Sequence, residues 1–253
     1  MKSTVIVFPG SNCDRDVKVA LEKASGSKVD MVWHGETSFA DSDLIVLPGG
    51  FSYGDYLRPG AMAAKSPVMS HVIKRARAGV AVLGICNGFQ ILVKMGLLPN
   101  IGGSLDQEVT LGPNQSGRFE DRWVRCRATQ PCRSPFLRSI SMIDLPVRHG
   151  EGRLIIRDTS IRKTIVDRGL VALAYCDATG IPTDQYPDNP NGSSLACAAL
   201  TDLSGQVLGM MPHPEAYLSF YNHPNWGRRI RAPHHEEGQG LSIFRNIVEH
   251  IEQ

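Results

Sequence analysis

Cys86 lies in the run VLGICNGFQIL, residues 82–92, where an apolar stretch stops and helix-forming residues follow at once. Gly84 and Gly88 flank it, each two residues away. This is the pattern of a nucleophile elbow, a tight strand-to-helix turn that lifts one side chain above the edge of a sheet. Small neighbours are needed because backbone passes close on both sides. A helix N-terminus beside the sulfur offers unpaired N–H groups and the positive end of a dipole, and both stabilise negative charge. The N–H of Asn87 would face an oxyanion formed on an attacked carbonyl. A glycine-flanked cysteine alone fits a buried structural thiol equally well, so the decision rests on other residues.

A thiol nucleophile needs a proton carrier and a group that orients it. His213, in GMMPHPEAY, follows an apolar run and has a proline on each side, with Glu215 two residues on. In an extended segment residues i and i+2 project to one side, so Glu215 can hold the imidazole. Pro212 and Pro214 restrict the backbone and help fix the pair. A lone HxE reads as a loop histidine beside a surface glutamate. It gains weight here because one α/β sheet could join it to the elbow. His223, His234, His235 and Glu236 fit no zinc spacing and have no cysteine near them. They are expected in a solvated loop, with no metal.

The elements that must position these groups follow from periodicity. Thr4–Phe8 and VAVLGI read as short buried strands, with Val29–Val32 and DLIVLPGG as further strand candidates. Between them, SNCDRDVKVALEKA carries Val17, Ala20, Leu21 and Ala24 at helical spacing, with Ser11 or Asn12 as its cap. SPVMSHVIKRARAG has Ser66 as N-cap, Pro67 at the first helical position and Gly79 at the end. NGFQILVKMG forms the helix after the elbow. Strands alternating with helices in this order predict a parallel sheet with helices on both faces. Val109–Leu111, Arg118–Ala128 and Ser141–Val147 add extended, partly antiparallel segments. SSLACAALTD and QVLGMMPHP form a late hairpin across Ser204 and Gly205. The closing helix, GLSIFRNIVEHI, puts Leu241, Phe244, Ile247, Val248 and Ile251 on one face.

The 253 residues are enough for one large α/β domain, and a 42% hydrophobic content supplies its core. Residues 1–253 are read as one domain with 217–237 as a surface loop insertion. The net charge is only +2, without the basic excess of a nucleic-acid surface, so no nucleic-acid partner is expected. Arg228, Arg229 and Arg231 are expected as solvated loop charges. The N-terminal MKSTVIVFPG lacks the long apolar stretch of a signal peptide, and nothing reaches membrane-spanning length. A cytoplasmic protein with no membrane contact is expected. The six cysteines, at 13, 86, 126, 132, 176 and 197, show no CxxC spacing, so most are expected as small buried hydrophobes.

GICNGFQ resembles the GxCxGxQ signature of class I glutamine amidotransferases, and PHPE resembles their His–Glu pair. FPGSNCDRD, LPGGFSYGDYLRPGAMA, CNGFQIL, NQSGRFEDRW, HGEGR and GMMPHPE, in that order, are similar to the glutaminase-subunit branch of phosphoribosylformylglycinamidine synthase. The likeness runs from residue 4 to 216 and resumes in the last helix. It implies an α/β, flavodoxin-like fold: a parallel or mixed central sheet, helices on both faces, and extra antiparallel strands. It implies that Cys86 attacks the side-chain amide of glutamine, giving a γ-glutamyl thioester and ammonia. Water then releases glutamate, with His213 as proton carrier and Glu215 as its orienter. The ammonia would pass to a large synthetase subunit that uses ATP and Mg to make formylglycinamidine ribonucleotide, a step of purine biosynthesis. The resemblance also implies a small accessory subunit in the complex and no cofactor on this chain.

The same resemblance implies Gly50 and Asn87 as the oxyanion hole and Gln90 as a substrate contact. It places His149, Gly150 and Glu151 near the α-amino and carboxylate end of glutamine. Asp55, Tyr56 and Arg58 lie in a loop near the site and serve the substrate or the partner; the sequence does not separate these. Two departures stand out, a longer link over 217–237 and an added helix in IRDTSIRKTIVDRG. Two other functions compete. One is a thiol hydrolase of the related flavodoxin-like group, whose elbows often lack the later glutamine and the PHPE pair. The other is a non-catalytic glutamine-binding regulatory subunit, against which the intact Cys86, His213 and Glu215 argue.

Overall fold

The computed structural model describes residues 1–229 and 236–253. The chain starts with β1 (Ser3–Val7), α1 (Asp14–Ser25), β2 (Val29–Trp33) and β3 (Leu44–Leu47). It continues through α2 (Val68–Arg77), β4 (Ala81–Ile85) and α3 (Asn87–Lys94). The middle holds β5 (Val109–Gly112), β6 (Glu120–Ala128), β7 (Met142–His149), β8 (Arg153–Ile156), α4 (Thr159–Asp167) and β9 (Val171–Tyr175). It ends with β10 (Cys197–Thr201), β11 (Val207–Met210) and α5 (Gly240–Ile251).

Nine strands form one mixed sheet in the order β2-β1-β3-β4-β11-β10-β9-β6-β7, and β5 pairs with β8 separately. From β2 to β11 every pairing is parallel; from β11 to β7 every pairing is antiparallel. The strands β3, β4, β9, β10 and β11 are buried at every residue, which is why their sequences are apolar runs, broken only by Thr201 at the end of β10. At the β2 edge Trp33 is half exposed.

The hairpin joining β10 to β11 sets up the chemistry. It returns the chain antiparallel and lays β11 parallel beside β4, pairing Met210 with Ile85. The residues after both strands therefore leave the sheet at the same edge. α5 buries Leu241, Phe244, Ile247 and Val248 as expected, and Ile243 with them. Burying each such side chain contributes about 1.5–3 kcal/mol. Asp158 Oδ1 accepts the Ile161 N–H at 2.9 Å and starts α4, the helix expected in IRDTSIRKTIVDRG.

Several local expectations change. Neither Ser11 nor Asn12 caps α1: its N-cap position is Cys13, with no side-chain cap. Ser11 Oγ instead accepts the Phe8 N–H, and Asn12 Oδ1 accepts the Cys13 thiol. Ser66 is extended and Pro67 already helical, but Ser66 Oγ bonds His34 rather than the helix end. His223 is not solvated. It is buried, with its ring 4.4 Å from that of Trp123. Arg229 is not a free loop charge, because it pairs with Asp144. The 217–237 link also packs at its root, where Tyr217 is buried and Ser219 bridges to Glu237. Arg231, His234 and His235 lie outside the described residues. Among the described residues no helix is long and apolar enough to cross a membrane.

Candidate active site

The elbow is built from close backbone contacts. Cys86 takes φ 50° and ψ −103°, a conformation that costs roughly 1–3 kcal/mol and needs its surroundings to hold it. A Cβ on Gly88 would lie 1.9 Å from the Leu47 carbonyl oxygen, and one on Gly84 would lie 2.7 Å from the Gly88 backbone. Both flanking glycines are thus required by backbone approach, as the spacing suggested. The Cys86 N–H donates to Met210 O at 2.7 Å, locking the elbow to the end of β11. The buried thiol points to the Arg148 carbonyl, 3.7 Å away.

His213 arrives three residues after β11 and is anchored by its N–H to Pro146 O at 2.9 Å. Its Nδ1 lies 2.6 Å from Glu215 Oε1, with both side chains buried. The pairing expected from extended backbone is made by an extended His213 leading into a 3₁₀ turn at Pro214–Ala216. Nε2 is buried and makes no hydrogen bond of regular geometry. Burial works against the imidazolium, but the Glu215 carboxylate and the Cys86 sulfur outweigh it and hold His213 well above its ordinary pKa. Cys86 thus lies near enough for its sulfur to act on the imidazole that Glu215 holds.

Gly50 sits beyond the end of β3 with φ +151°, bridged to Ser11. Asn87 is the first residue of α3. Its Oδ1 accepts the Ser52 N–H at 3.2 Å, and its Nδ2 donates to Gln90 Oε1 at 2.9 Å and Asp55 Oδ1 at 3.4 Å. Gln90 Nε2 donates to Glu151 O at 2.6 Å, so its carboxamide ties the elbow helix to the turn after β7. Burial and the nearby Glu151 raise Asp55 to about 6. Tyr56 and Arg58 are exposed on the same loop.

The turn after β7 is held by a residue the sequence did not single out. Asn114 donates to the carbonyls of Arg118 and His149 and accepts from Gly152 N–H at 3.1 Å. His149 is buried, with Nδ1 3.0 Å from Asn114 Oδ1 and Nε2 without a hydrogen bond. Asn191 Nδ2 donates to Gly152 O at 2.9 Å. NQSG held Asn114 in view, but its partners are distant in sequence. Cys13 was also missed: its sulfur lies 3.9 Å from His213 Nδ1. The ligand atoms of Cys13, His213 and Glu215 all fall within 4.8 Å of one another. Nδ1 and Oε1 are only 2.6 Å apart, a proton-sharing distance too short for two ligands of one cation. The cluster is a proton network.

Residues 1–251 match the family described as the CobB/CobQ-like glutamine amidotransferase domain. The chain belongs to that family. This amidotransferase domain is 40% identical over 253 residues to phosphoribosylformylglycinamidine synthase subunit PurQ of Nostoc sp., covering 99% of this chain and 98% of that protein. It is 44% identical over 218 residues to the subunit of the same name from Moorella thermoacetica, covering 85% and 87%. It is also similar to a chain in a structure of PurLQS from Thermotoga maritima, at 34% identity and a TM-score of 0.76 over 98% of both chains.

Proposed function

We propose that the chain hydrolyses glutamine to glutamate and ammonia through Cys86, His213 and Glu215. It passes the ammonia to a synthetase subunit that makes formylglycinamidine ribonucleotide from formylglycinamide ribonucleotide with ATP. The observation that carries the chemistry is the state of His213. Nδ1 is held by Glu215 at 2.6 Å, while the buried Nε2 is left for the Cys86 sulfur. The substrate and the partner rest on the relatives, two of which are named subunits of phosphoribosylformylglycinamidine synthase.

The geometry supports the following steps. The Cys86 sulfur adds to the amide carbon, and the carbonyl oxygen becomes an oxyanion. The N–H groups of Gly50 and Asn87 receive that charge, the second being free of an intrahelical partner at a helix start. His213 gives its proton to the departing nitrogen, which leaves as ammonia, and a thioester remains. Water then attacks the thioester while His213 takes its proton, releasing glutamate and restoring the thiolate beside the imidazolium.

The test uses the chain assembled with its synthetase. A glutamine-mimicking electrophile should label Cys86 alone, by mass spectrometry, and glutamine should block it. Cys86→Ser should abolish glutamine-dependent synthesis and leave ammonia-dependent synthesis intact. Glutamine hydrolysis surviving in Cys86→Ser would remove the glutaminase reading. Loss of ammonia-dependent synthesis in that variant would remove the handover.

A further inference from the structure

Cys13 is a buried thiol beside the triad that the chemistry above does not use. It ends the turn that leads into α1. Its S–H donates to Asn12 Oδ1 at 3.2 Å, so lone pairs on the sulfur are left for the imidazole N–H, 3.9 Å away. That contact is long beside the 2.6 Å bond to Glu215, so the sulfur can steer the ring but not replace the carboxylate.

The backbone around Cys13 is tied to the oxyanion loop. The N–H groups of Asn12 and Cys13 both donate to Gly49 O, at 3.4 and 3.3 Å, and Ser11 bridges to Gly50. A Cβ on Gly49 would lie 2.7 Å from His213 Cε1 and 3.3 Å from Cys13 Sγ. The thiol, the imidazole and the oxyanion glycine therefore rest on one short strut.

We propose that Cys13 is a positioning residue for the glutaminase reaction: its sulfur shares the Nδ1 proton of His213 with Glu215 and fixes the ring against Gly49, with Nε2 turned to Cys86. The inference rests on the glutaminase reading above. The groups that face His213 are Glu215 on its own turn, Cys13 and Asp16 from the start of α1, Cys86 at the elbow and His149 at the end of β7. The Cys13 contact favours the imidazolium, so its loss makes His213 give up its proton at lower pH.

The experiment compares wild type, Cys13→Ala and Cys13→Ser in the assembled complex. Cys13→Ala should lower glutamine-dependent kcat by about tenfold with KM little changed. The alkaline limb of kcat should move to lower pH by up to about one unit. Cys86 should react more slowly with the electrophile, and ammonia-dependent synthesis should be unchanged. Cys13→Ser should recover most of the loss. If Cys13→Ala melts well below wild type, Cys13→Val fills the space without lone pairs and takes its place. A pH profile superimposable on wild type in a folded apolar variant overturns the proposal, as does a serine variant no better than the apolar one. Wild-type enzyme that hydrolyses no glutamine instead removes the underlying reading.

Discussion

Asn114 Oδ1 sits 3.0 Å from Nδ1 of His149 and fixes the tautomer of that buried ring. The amide cannot be turned round, because its Nδ2 donates to two carbonyls and its Oδ1 also accepts the Gly152 N–H. Oδ1 is therefore an acceptor, Nδ1 of His149 carries the proton, and Nε2 is a bare lone pair. Burial and the charge on His213 push His149 down to about 3. Two histidines in one site thus hold opposite charge states, a neutral ring beside an imidazolium, each set by its neighbours.

That arrangement makes the fold acid-sensitive. The unfolded His149 binds a proton near 6.5 and the folded one only near 3, so between those values the unfolded chain binds more protons. Stability begins to fall below the upper value, by at most about 1.4 kcal/mol per pH unit from this residue, and the loss is complete near the lower. His149→Asn keeps an N–H for Asn114 and titrates nothing. Its melting temperature should depend less on pH across that window than the wild type's. Parallel curves would assign the acid sensitivity elsewhere.

Gly49→Ala should damage catalysis more than folding. The added Cβ would stand 2.7 Å from His213 Cε1, and a ring can turn away where backbone cannot. A displacement on that scale costs about 100-fold when it misaligns a reacting group. The expected result is a loss of that order in glutamine-dependent kcat, with ammonia-dependent synthesis retained. A variant with wild-type glutamine turnover would show that the ring is not held against Gly49.

The elbow and the PHPE pair were legible in the sequence because each is a local device. Gly84, Gly88, Pro212 and Pro214 announce their turns whatever the rest of the chain does. The central parallel strands β3 and β4 were legible because strands buried on both faces are continuous apolar runs. Asn114, Asn191 and Cys13 were not legible as site residues, because their roles depend on which carbonyls and rings come near them after folding. Ser11 and Asn12 misled for a related reason: a side chain that can cap a helix can also close the loop before it, and here the loop won. His223 read as solvated because its segment lacks periodicity, yet Trp123 from β6 and Tyr217 at the root of the same link cover it.

Asp55 is held in a strained loop, where Tyr53, Asp55 and Leu57 all take positive φ. Its folded value, about 6, lies above the ordinary 3.8. The stability it contributes is therefore full below 3.8 and is lost as pH rises through about 6. Asp55→Asn removes the charge that burial and Glu151 disfavour, and keeps an oxygen for the Asn87 amide. Its melting temperature should exceed that of wild type above pH 6, with the gain gone below 3.8. A variant that melts lower at neutral pH would mean that the ionised carboxylate supports the loop.

Glu215→Gln separates charge from shape at the triad. The carboxylate and the Cys86 sulfur together overcome the burial that would otherwise strip His213 of its proton. Glutamine keeps the side-chain length but removes the charge, and its amide can present an N–H to Nδ1 and favour the wrong tautomer. The proton His213 needs for the departing ammonia is then missing at neutral pH. Comparable orienting residues cost up to about 10⁴-fold when neutralised, so glutamine-dependent kcat should fall by about 10²- to 10⁴-fold. Ammonia-dependent synthesis should persist, and the residual glutaminase activity should favour lower pH, where the imidazole regains its proton. Activity within a few-fold of wild type, with an unshifted pH profile, would show that the 2.6 Å contact holds the turn together without setting the charge of the ring.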